Sequence, residues 1–289
     1  MARNASVPDF AGISLPNENF GIVDSKGFEL ELGYKNQKTD FSYGISGNLA
    51  YAKNKIVEFD EPAQMVSWQA RTGHPIGATL LYKSAGIFRD VDQINKTPHV
   101  TGAIPGDVII EDYNKDGKIS ADDRILFDKT SVPEITYGVS MNFRYKSLEL
   151  TALVTGVGTT WRQMLGSQQG LSGNYYQFQA DGRWTPDNIN ATKPRTPNGW
   201  RPYWRSNSYR TDVEYQNMEF ARMKNVQLSY SLPKRFRDAV KLNNAQIFIS
   251  GQNLFLIYAS QGIWDPEFSA NRDNYPIMKV FTIGANVSF

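Results

Sequence analysis

The segment Asp112-Tyr-Asn114-Lys-Asp116-Gly117-Lys118-Ile119-Ser120-Ala-Asp-Asp123 holds the residues of this chain whose types and spacing best suit chemistry. Oxygen-bearing groups stand at positions one, three, five, seven, nine and twelve, and glycine at position six allows a sharp turn, which is the spacing of a calcium loop. Asp112, Asn114 and Asp116 would supply side-chain oxygens, Lys118 its carbonyl, Ser120 a hydroxyl or a water bridge, and Asp123 the closing carboxylate, while Ile119 packs inward. Ca2+ is therefore the one cofactor expected. Position twelve is Asp rather than the longer Glu, and no convincing helices flank the segment, so its affinity is expected to be lower than that of an EF-hand. The same residues also suit a polar hairpin turn in which Asn and Asp satisfy their own backbone.

Little else in the chain is suited to catalysis. Cysteine is absent, which removes disulfides, thiol nucleophiles and Cys-ligated zinc. The two histidines, His74 and His99, each adjoin a proline in loop context, and no motif sets either beside a nucleophile and an acid. Asp265 and Glu267 are close in sequence, but a glycosidase pair is defined by separation in space. No enzyme is expected. The formal net charge of +2 implies neither a nucleic-acid partner nor a polybasic membrane patch. Met1 to Phe10 contain no apolar run of the signal-peptide kind. Mean hydropathy is −0.46, and no stretch approaches the roughly 18 apolar residues of a membrane helix.

The elements that must position the loop are strands. Phe28, Leu30, Leu32 and Tyr34 alternate with Glu29, Glu31 and Gly33. After the polar turn Lys35 to Asp40, Phe41, Tyr43, Ile45, Gly47, Leu49 and Tyr51 share one face, and Ser42, Gly44, Ser46, Asn48 and Ala50 the other. Ile135, Tyr137, Val139, Met141, Phe143 and Tyr145 repeat the pattern, and the tight turn Lys146-Ser147 leads into Leu148, Leu150, Ala152 and Val154. A strand over roughly 216–232 changes phase near Lys224-Asn225, which predicts a bulge, and Pro233 stops it. Ala245 to about Tyr258 return, and Val280 to Phe289 alternate strictly, with Phe281, Ile283, Ala285, Val287 and Phe289 on one face. Counting a short strand within Thr79 to Phe88, about eight spans are expected.

Period-two strands with one apolar and one small polar face suit a membrane β-barrel wall, which meets lipid on one side and water on the other. The connections run short, very long, very short, very long, short, long, with long loops over 53–133 and 158–215. Outer-membrane barrels sort periplasmic turns and extracellular loops in this way, whereas a soluble sandwich has no reason to. The turns at 35–40, 146–147 and 233–244 then lie at one end with the carboxyl terminus. Tyr34, Phe41, Phe143, Tyr145, Tyr230 and Phe289 form an interfacial aromatic girdle there. Eight-stranded barrels seldom carry loops of about sixty to eighty residues, so a larger barrel is the better account.

Several ordered motifs resemble a known family. They are Pro105-Gly106-Asp107, Glu111 to Arg124, Pro133 to Gly138, Met223 to Pro233, Ser250-Gly-Gln-Asn-Leu-Phe255, Asp265-Pro-Glu267, Tyr275-Pro276 and the strand ending in Phe289. Together they resemble SusC/RagA-type TonB-dependent outer-membrane transporters over nearly the whole of residues 1–289. The resemblance implies an all-β fold: the C-terminal strands of a large antiparallel transmembrane β-barrel of 22 strands, in the outer membrane of a Gram-negative bacterium. The plug domain, TonB box and early strands lie outside the segment, so it is not expected to transport alone.

The resemblance further implies a SusD-like surface lipoprotein as a lid, energy from the TonB complex through the N-terminal part, and import of oligosaccharides or peptides. The segments near 58–129, 158–215 and 260–278 would meet the lid or the ligand. Trp161, Trp184, Trp200, Tyr203, Trp204 and Trp264 lie in them, either as aromatic platforms for a glycan or as packing of the loops into a cap. The terminal strand, with Phe281, Ile283, Val287 and Phe289, resembles the signal by which the barrel-assembly machinery recognises its substrates. The competing reading is a soluble, calcium-dependent, all-β glycan-binding module. The discriminating face is Tyr43, Ile45, Leu49, Val139 and Met141, which would meet lipid in a barrel and an opposing sheet in a sandwich.

Overall fold

The computed structural model describes residues 21–38, 40–61, 66–163, 177–196, 203–205, 208–262, 264–267 and 277–289. Trp200 and the Tyr275-Pro276 motif lie outside the described residues. Thirteen strands follow one another: β1 (Ile22–Gln37), β2 (Phe41–Glu58), β3 (Thr79–Tyr82), β4 (Ser84–Ile87), β5 (Val108–Ile110), β6 (Arg124–Phe127), β7 (Ile135–Tyr145), β8 (Leu148–Gly158), β9 (Trp161–Gln163), β10 (Tyr215–Asn217), β11 (Phe220–Ser231), β12 (Asn244–Ala259) and β13 (Val280–Ser288). Two compact units result. One contains 26–53, 132–161 and 217–289, and the other 54–131 and 162–216 together with the chain before Lys26.

The first unit is built on a seven-stranded sheet in the order β1-β2-β7-β8-β11-β12-β13. From β2 to β13 every pair of neighbouring strands in it is antiparallel, as in a barrel wall. The sheet is not closed: β1 and β13 are its two edges. Register carries the alternation across the wall without slip from β2 to β8. Tyr43 faces Phe143, which faces Leu150, and Ile45 faces Met141, which faces Ala152. The turn between β7 and β8 is the two residues Lys146-Ser147, with Lys146 at φ 52. A two-residue hairpin needs that positive φ so that its twist matches the strands it joins.

The expected bulge is present. Pairing of β11 with both neighbours shifts between Met223 and Asn225, so Lys224 drops out of register, and a second shift against β12 separates Ala221 from Arg222. These shifts let the apolar phase of Val226, Leu228 and Tyr230 change to that of Met223 and Ala221 while the strand stays paired.

Two expectations differ from the structure. The span within 79–88 is not part of the wall. It divides into β3, which pairs with β6, and β4, which pairs with β5, so the wall counts seven strands among the described residues rather than about eight. Its residues are buried on successive positions, as at Leu81 and Tyr82, rather than on alternate ones, which suits a strand enclosed by its own unit. The wall strands β1, β2 and β12, of 16, 18 and 16 residues, also run longer than the roughly 9–11 that cross a bilayer.

The second unit has its own small core. Phe88, Ile94 and Ile109 pack together with Ala103 against them. The short helix Val91–Lys96 that supplies Ile94 is capped by Asp90, whose Oδ1 accepts from the Gln93 N–H at 2.7 Å.

Candidate functional site

The functional surface of the sheet unit is the sheet itself. By register, one face carries Ile45, Met141, Ala152, Val226, Gly251 and Phe281, together with Leu150, Leu228, Ile249 and Ile283. The other carries Ser46, Ser140, Asn142, Thr151, Gln227, Ser250 and Thr282. The apolar face is bare: Leu228, Ile249, Phe281 and Ile283 are all exposed. No second sheet of comparable size exists among the described residues to cover it; the others are two-stranded. An apolar face of this extent, left to water, would be a large unmet hydrophobic cost.

The polar face is a hydrogen-bonding surface. Asn142 Nδ2 donates to Glu149 Oε1 at 2.6 Å across β7 and β8. At the turn end the aromatics gather: Tyr43 lies 5.8 Å from Tyr34 and 5.7 Å from Phe41, ring centre to ring centre. Tyr34, Phe41, Tyr145 and Phe289 of the expected girdle are exposed, and Lys146 Nζ sits 5.4 Å over the Tyr145 ring. On β13, Phe281, Ile283 and Val287 project from the exposed apolar face, and Phe289 directly follows the strand.

At the far end of the wall is an ion cluster that the sequence reading did not identify. Arg222, only 3% exposed, stands on the polar face opposite Thr155. Its NH2 group donates to both Asp265 oxygens at 2.5 Å, and its Nε lies 2.6 Å from Glu267 Oε2 without the alignment of a hydrogen bond. Lys224, the residue expelled by the bulge, pairs with Glu267 at 2.9 Å. The Glu267 N–H donates to Asp265 Oδ1 at 3.0 Å, so the Asp265-Pro-Glu267 turn is locked to β11. The available clue was the cation pair flanking the predicted phase change, since an Arg on a strand needs a partner when it is buried.

In the second unit, Pro105-Gly106-Asp107 forms a buried node. Asp107 is 1% exposed; its Oδ1 accepts from Arg195 Nε at 2.7 Å and from Trp204 Nε1 at 3.3 Å, and its Oδ2 from the Ile104 N–H at 3.1 Å. The Tyr203 hydroxyl donates to the Val108 carbonyl, and burial, with the Asp107 charge beside it, pushes the Tyr203 phenol well above its ordinary range. Trp204 is buried and Trp184 Nε1 donates to the Arg89 carbonyl at 3.2 Å, so these two rings pack the unit together. Trp264 sits in the sheet unit, where its carbonyl and N–H are both held by Gln261.

The 112–123 loop adopts the turn its spacing predicts, with Gly117 at φ +83 in the position that no side chain tolerates comfortably. Its oxygens face its own backbone. Asp112 accepts from the Asp116 and Gly117 N–H groups at 3.2 and 2.8 Å, and Asp116 Oδ1 from the Lys118 N–H at 2.8 Å. Asn114 Oδ1 accepts from the Asp116 N–H at 3.0 Å, and its Nδ2 donates to Asp116 Oδ2 at 3.1 Å. Asp123 is fully buried and accepts from the N–H groups of Tyr113, Asn114 and Ser120 at 2.9, 3.3 and 2.7 Å. Ser120 Oγ accepts from the Asp122 N–H at 3.2 Å.

Among the described residues no group of three His, Cys, Asp or Glu side chains converges as a metal site. The hydrogen bonds are those of the polar hairpin turn. They still leave acceptor capacity on Asp112 and Asp116, because an ionised carboxylate offers about four lone-pair directions. The loop is clamped from outside by Gln69, whose Nε2 donates to the Ala121 and Arg124 carbonyls at 2.8 and 2.9 Å, and by Trp68, whose Nε1 donates to the Asp122 carbonyl at 2.8 Å.

His74 and His99 are accounted for locally. His74 Nδ1 lies 2.5 Å from Asp128 Oδ1, and His99 Nδ1 lies 2.9 Å from the Thr97 carbonyl and its ring edge-on to Phe88.

No protein-family model matches the chain. Similarity is found to full proteins. The TonB-dependent receptor P3 of Formosa agariphila is 26% identical over 98% of this chain and 30% of its own length. The TonB-dependent receptor P26 of the same organism is 25% identical over 100% of this chain and 31% of its own length. Among solved structures, the RagAB peptide transporter superposes on 100% of this chain and 32% of its own with a TM-score of 0.71 at 21% identity. The RagAB peptide importer in its closed-closed state gives 0.69 at 22% identity. The chain thus spans about a third of the length of the proteins it matches.

Proposed function

We propose that the chain belongs to a TonB-dependent receptor of the SusC/RagA type and builds the C-terminal wall and outer loops of an outer-membrane transporter that imports oligosaccharides or peptides. The observation that carries this reading is the two-faced sheet: an apolar face without cover among the described residues and a mainly polar face, carried over strands β2 to β13 through the bulge in β11. Lipid is the partner that the first face requires and a water-filled lumen is what the second tolerates. In a soluble glycan-binding module the same apolar residues would have to be buried by an opposing sheet, which favours the barrel.

On this reading the remaining length of the receptor supplies the plug, the TonB contact and the other strands. A SusD-like lipoprotein meets the outer loops. Phe281, Ile283, Val287 and Phe289 serve as the signal read by the barrel-assembly machinery. Blotting membrane fractions of the source cell with an antibody to 280–289, boiled and unboiled, tests the proposal. A heat-modifiable outer-membrane band well above 32.6 kDa supports it, and a soluble band at 32.6 kDa unaffected by heating overturns it.

Calcium at 112–123 is proposed as an accessory of the same unit. What favours it is that Asp112 and Asp116 already turn into the loop around Gly117. Calorimetric titration of the intact receptor should give calcium-dependent heat that Asp116→Asn reduces; absence of any calcium-dependent heat would end this reading.

A further inference from the structure

The turn between β11 and β12 is the only wall turn among the described residues that contains a helix, Lys234–Ala239, and its composition differs from that of a plain connection. Lys234-Arg-Phe-Arg-Asp-Ala-Val-Lys241 places four cations and one acid in eight residues. Lys234, Arg235 and Lys241 are exposed, and no described residue forms an ion pair with any of them. Phe236 on the helix and Val240, the residue that ends it, are 65% and 62% exposed. A soluble surface gains nothing by presenting a bare Phe beside unpaired cations, whereas a bilayer surface accepts both: apolar side chains enter the acyl boundary while cations meet anionic headgroups.

The position of this turn selects the occupant. It leaves β11 one residue after Tyr230, which pairs with Ile247, so it adjoins the aromatic end of the apolar face. Arg237 does not take part, because its NH1 group donates to the Asn243 carbonyl at 2.7 Å and so holds the return of the chain into β12. Resting on the barrel reading above, we propose that Lys234, Arg235 and Lys241, with Phe236 and Val240, form a docking surface for anionic phospholipid headgroups of the bilayer leaflet at the short-turn end of the wall. The apolar pair fixes depth and the cations select charge. The turn would then anchor that rim of the barrel at the leaflet surface.

The intact receptor bearing this chain, reconstituted into nanodiscs of phosphatidylcholine with or without phosphatidylglycerol, provides the test. Native mass spectrometry reads retained phosphatidylglycerol, and heat-modifiable migration confirms the barrel in every sample. Each cation near an anionic surface contributes about fivefold in partition. The triple variant Lys234→Gln, Arg235→Gln, Lys241→Gln should therefore retain phosphatidylglycerol less by about a hundredfold at low salt. In the unmodified receptor, retention of phosphatidylglycerol over phosphatidylcholine should fall as salt rises, a check that needs no variant to fold. Equal retention by variant and parent, or retention indifferent to salt, would overturn the docking surface while leaving the barrel intact. Loss of heat-modifiable migration in the parent would instead overturn the barrel reading on which it rests.

Discussion

Two adjacent residues on β7 provide the sharpest test of which face meets lipid. Val139 stands on the apolar face, between Gly47 on β2 and Val154 on β8, and Ser140 stands on the polar face, between Ser46 and Leu153. Val139 is six residues from Tyr145 at the girdle end. At about 3.4 Å per residue and a tilt of about 45°, that places it roughly 14 Å into an apolar band about 25 Å tall, close to the midplane. Arginine there costs about 2–4 kcal/mol, whereas on a lumen face its head stays hydrated and the cost is near zero. Val139→Arg should thus lower the folded-to-unfolded ratio by about 30- to 1,000-fold, and Ser140→Arg, one residue away on the same strand, should hardly change it.

The measurement is guanidinium unfolding of the intact receptor in phosphatidylcholine vesicles, read by the heat-modifiable shift, for the parent and both variants. A midpoint that falls for Val139→Arg and stays for Ser140→Arg fits a lipid-facing Val139. Equal losses would refute the assignment of faces. A protein that stays folded without lipid or detergent would refute the membrane wall itself.

Three further outcomes follow from buried groups. Asp107→Ala leaves Arg195 and Trp204 without their shared acceptor, and since breaking a buried pair costs about 3–5 kcal/mol, segments 103–110 and 184–196 should lose hydrogen-exchange protection while the wall keeps its own. Arg222→Met should release the 264–267 turn, seen as faster proteolysis of 260–278, because Asp265 and Glu267 then lose the cation that crosses to them; unchanged cleavage would show that Lys224 suffices. A Cβ at Gly156 would lie 2.3 Å from the Tyr137 hydroxyl and 2.4 Å from the Phe220 carbonyl, and the latter is backbone that the ladder holds, so Gly156→Ala should sharply reduce the amount of assembled barrel on a heat-modifiability gel.

The wall was legible in the sequence because a sheet exposed to two different media writes its structure every second residue. Tyr43, Ile45, Val139 and Met141 occupy the face their alternation assigned, and even the phase change at Lys224 could be read as a bulge. The second unit was much less legible. Phe88, Ile94 and Ile109 meet from the residue after one strand, a helix and another strand, so no periodicity marks them as a core. Asp107 and Arg195 are 88 residues apart, and nothing local tells a buried carboxylate in Pro-Gly-Asp from an ordinary turn. The 112–123 loop shows a different limit. Calcium ligation and Asx-type self-satisfaction demand the same residues at the same spacing, and Asp123, chosen as the closing ligand, is buried against three backbone N–H groups.

The edges of the sheet connect the physics to the length of the matched proteins. Inside lipid each backbone N–H or carbonyl without a partner costs several kcal/mol, so a spanning sheet must close. Here β1 and β13 are both edges, and the apolar alternation continues undiminished onto them at Phe28, Leu30, Leu32, Phe281 and Ile283. A soluble sheet would protect such edges with charges, prolines or bulges turned outward. Long edges with one apolar face are what neighbouring strands of the same wall would leave, and the chain spans about a third of the length of the proteins it matches. On the proposed barrel reading the lipid-facing pattern and the pairing of both edges are one requirement: hydrocarbon would accept the side chains of this sheet only where its backbone is also paired.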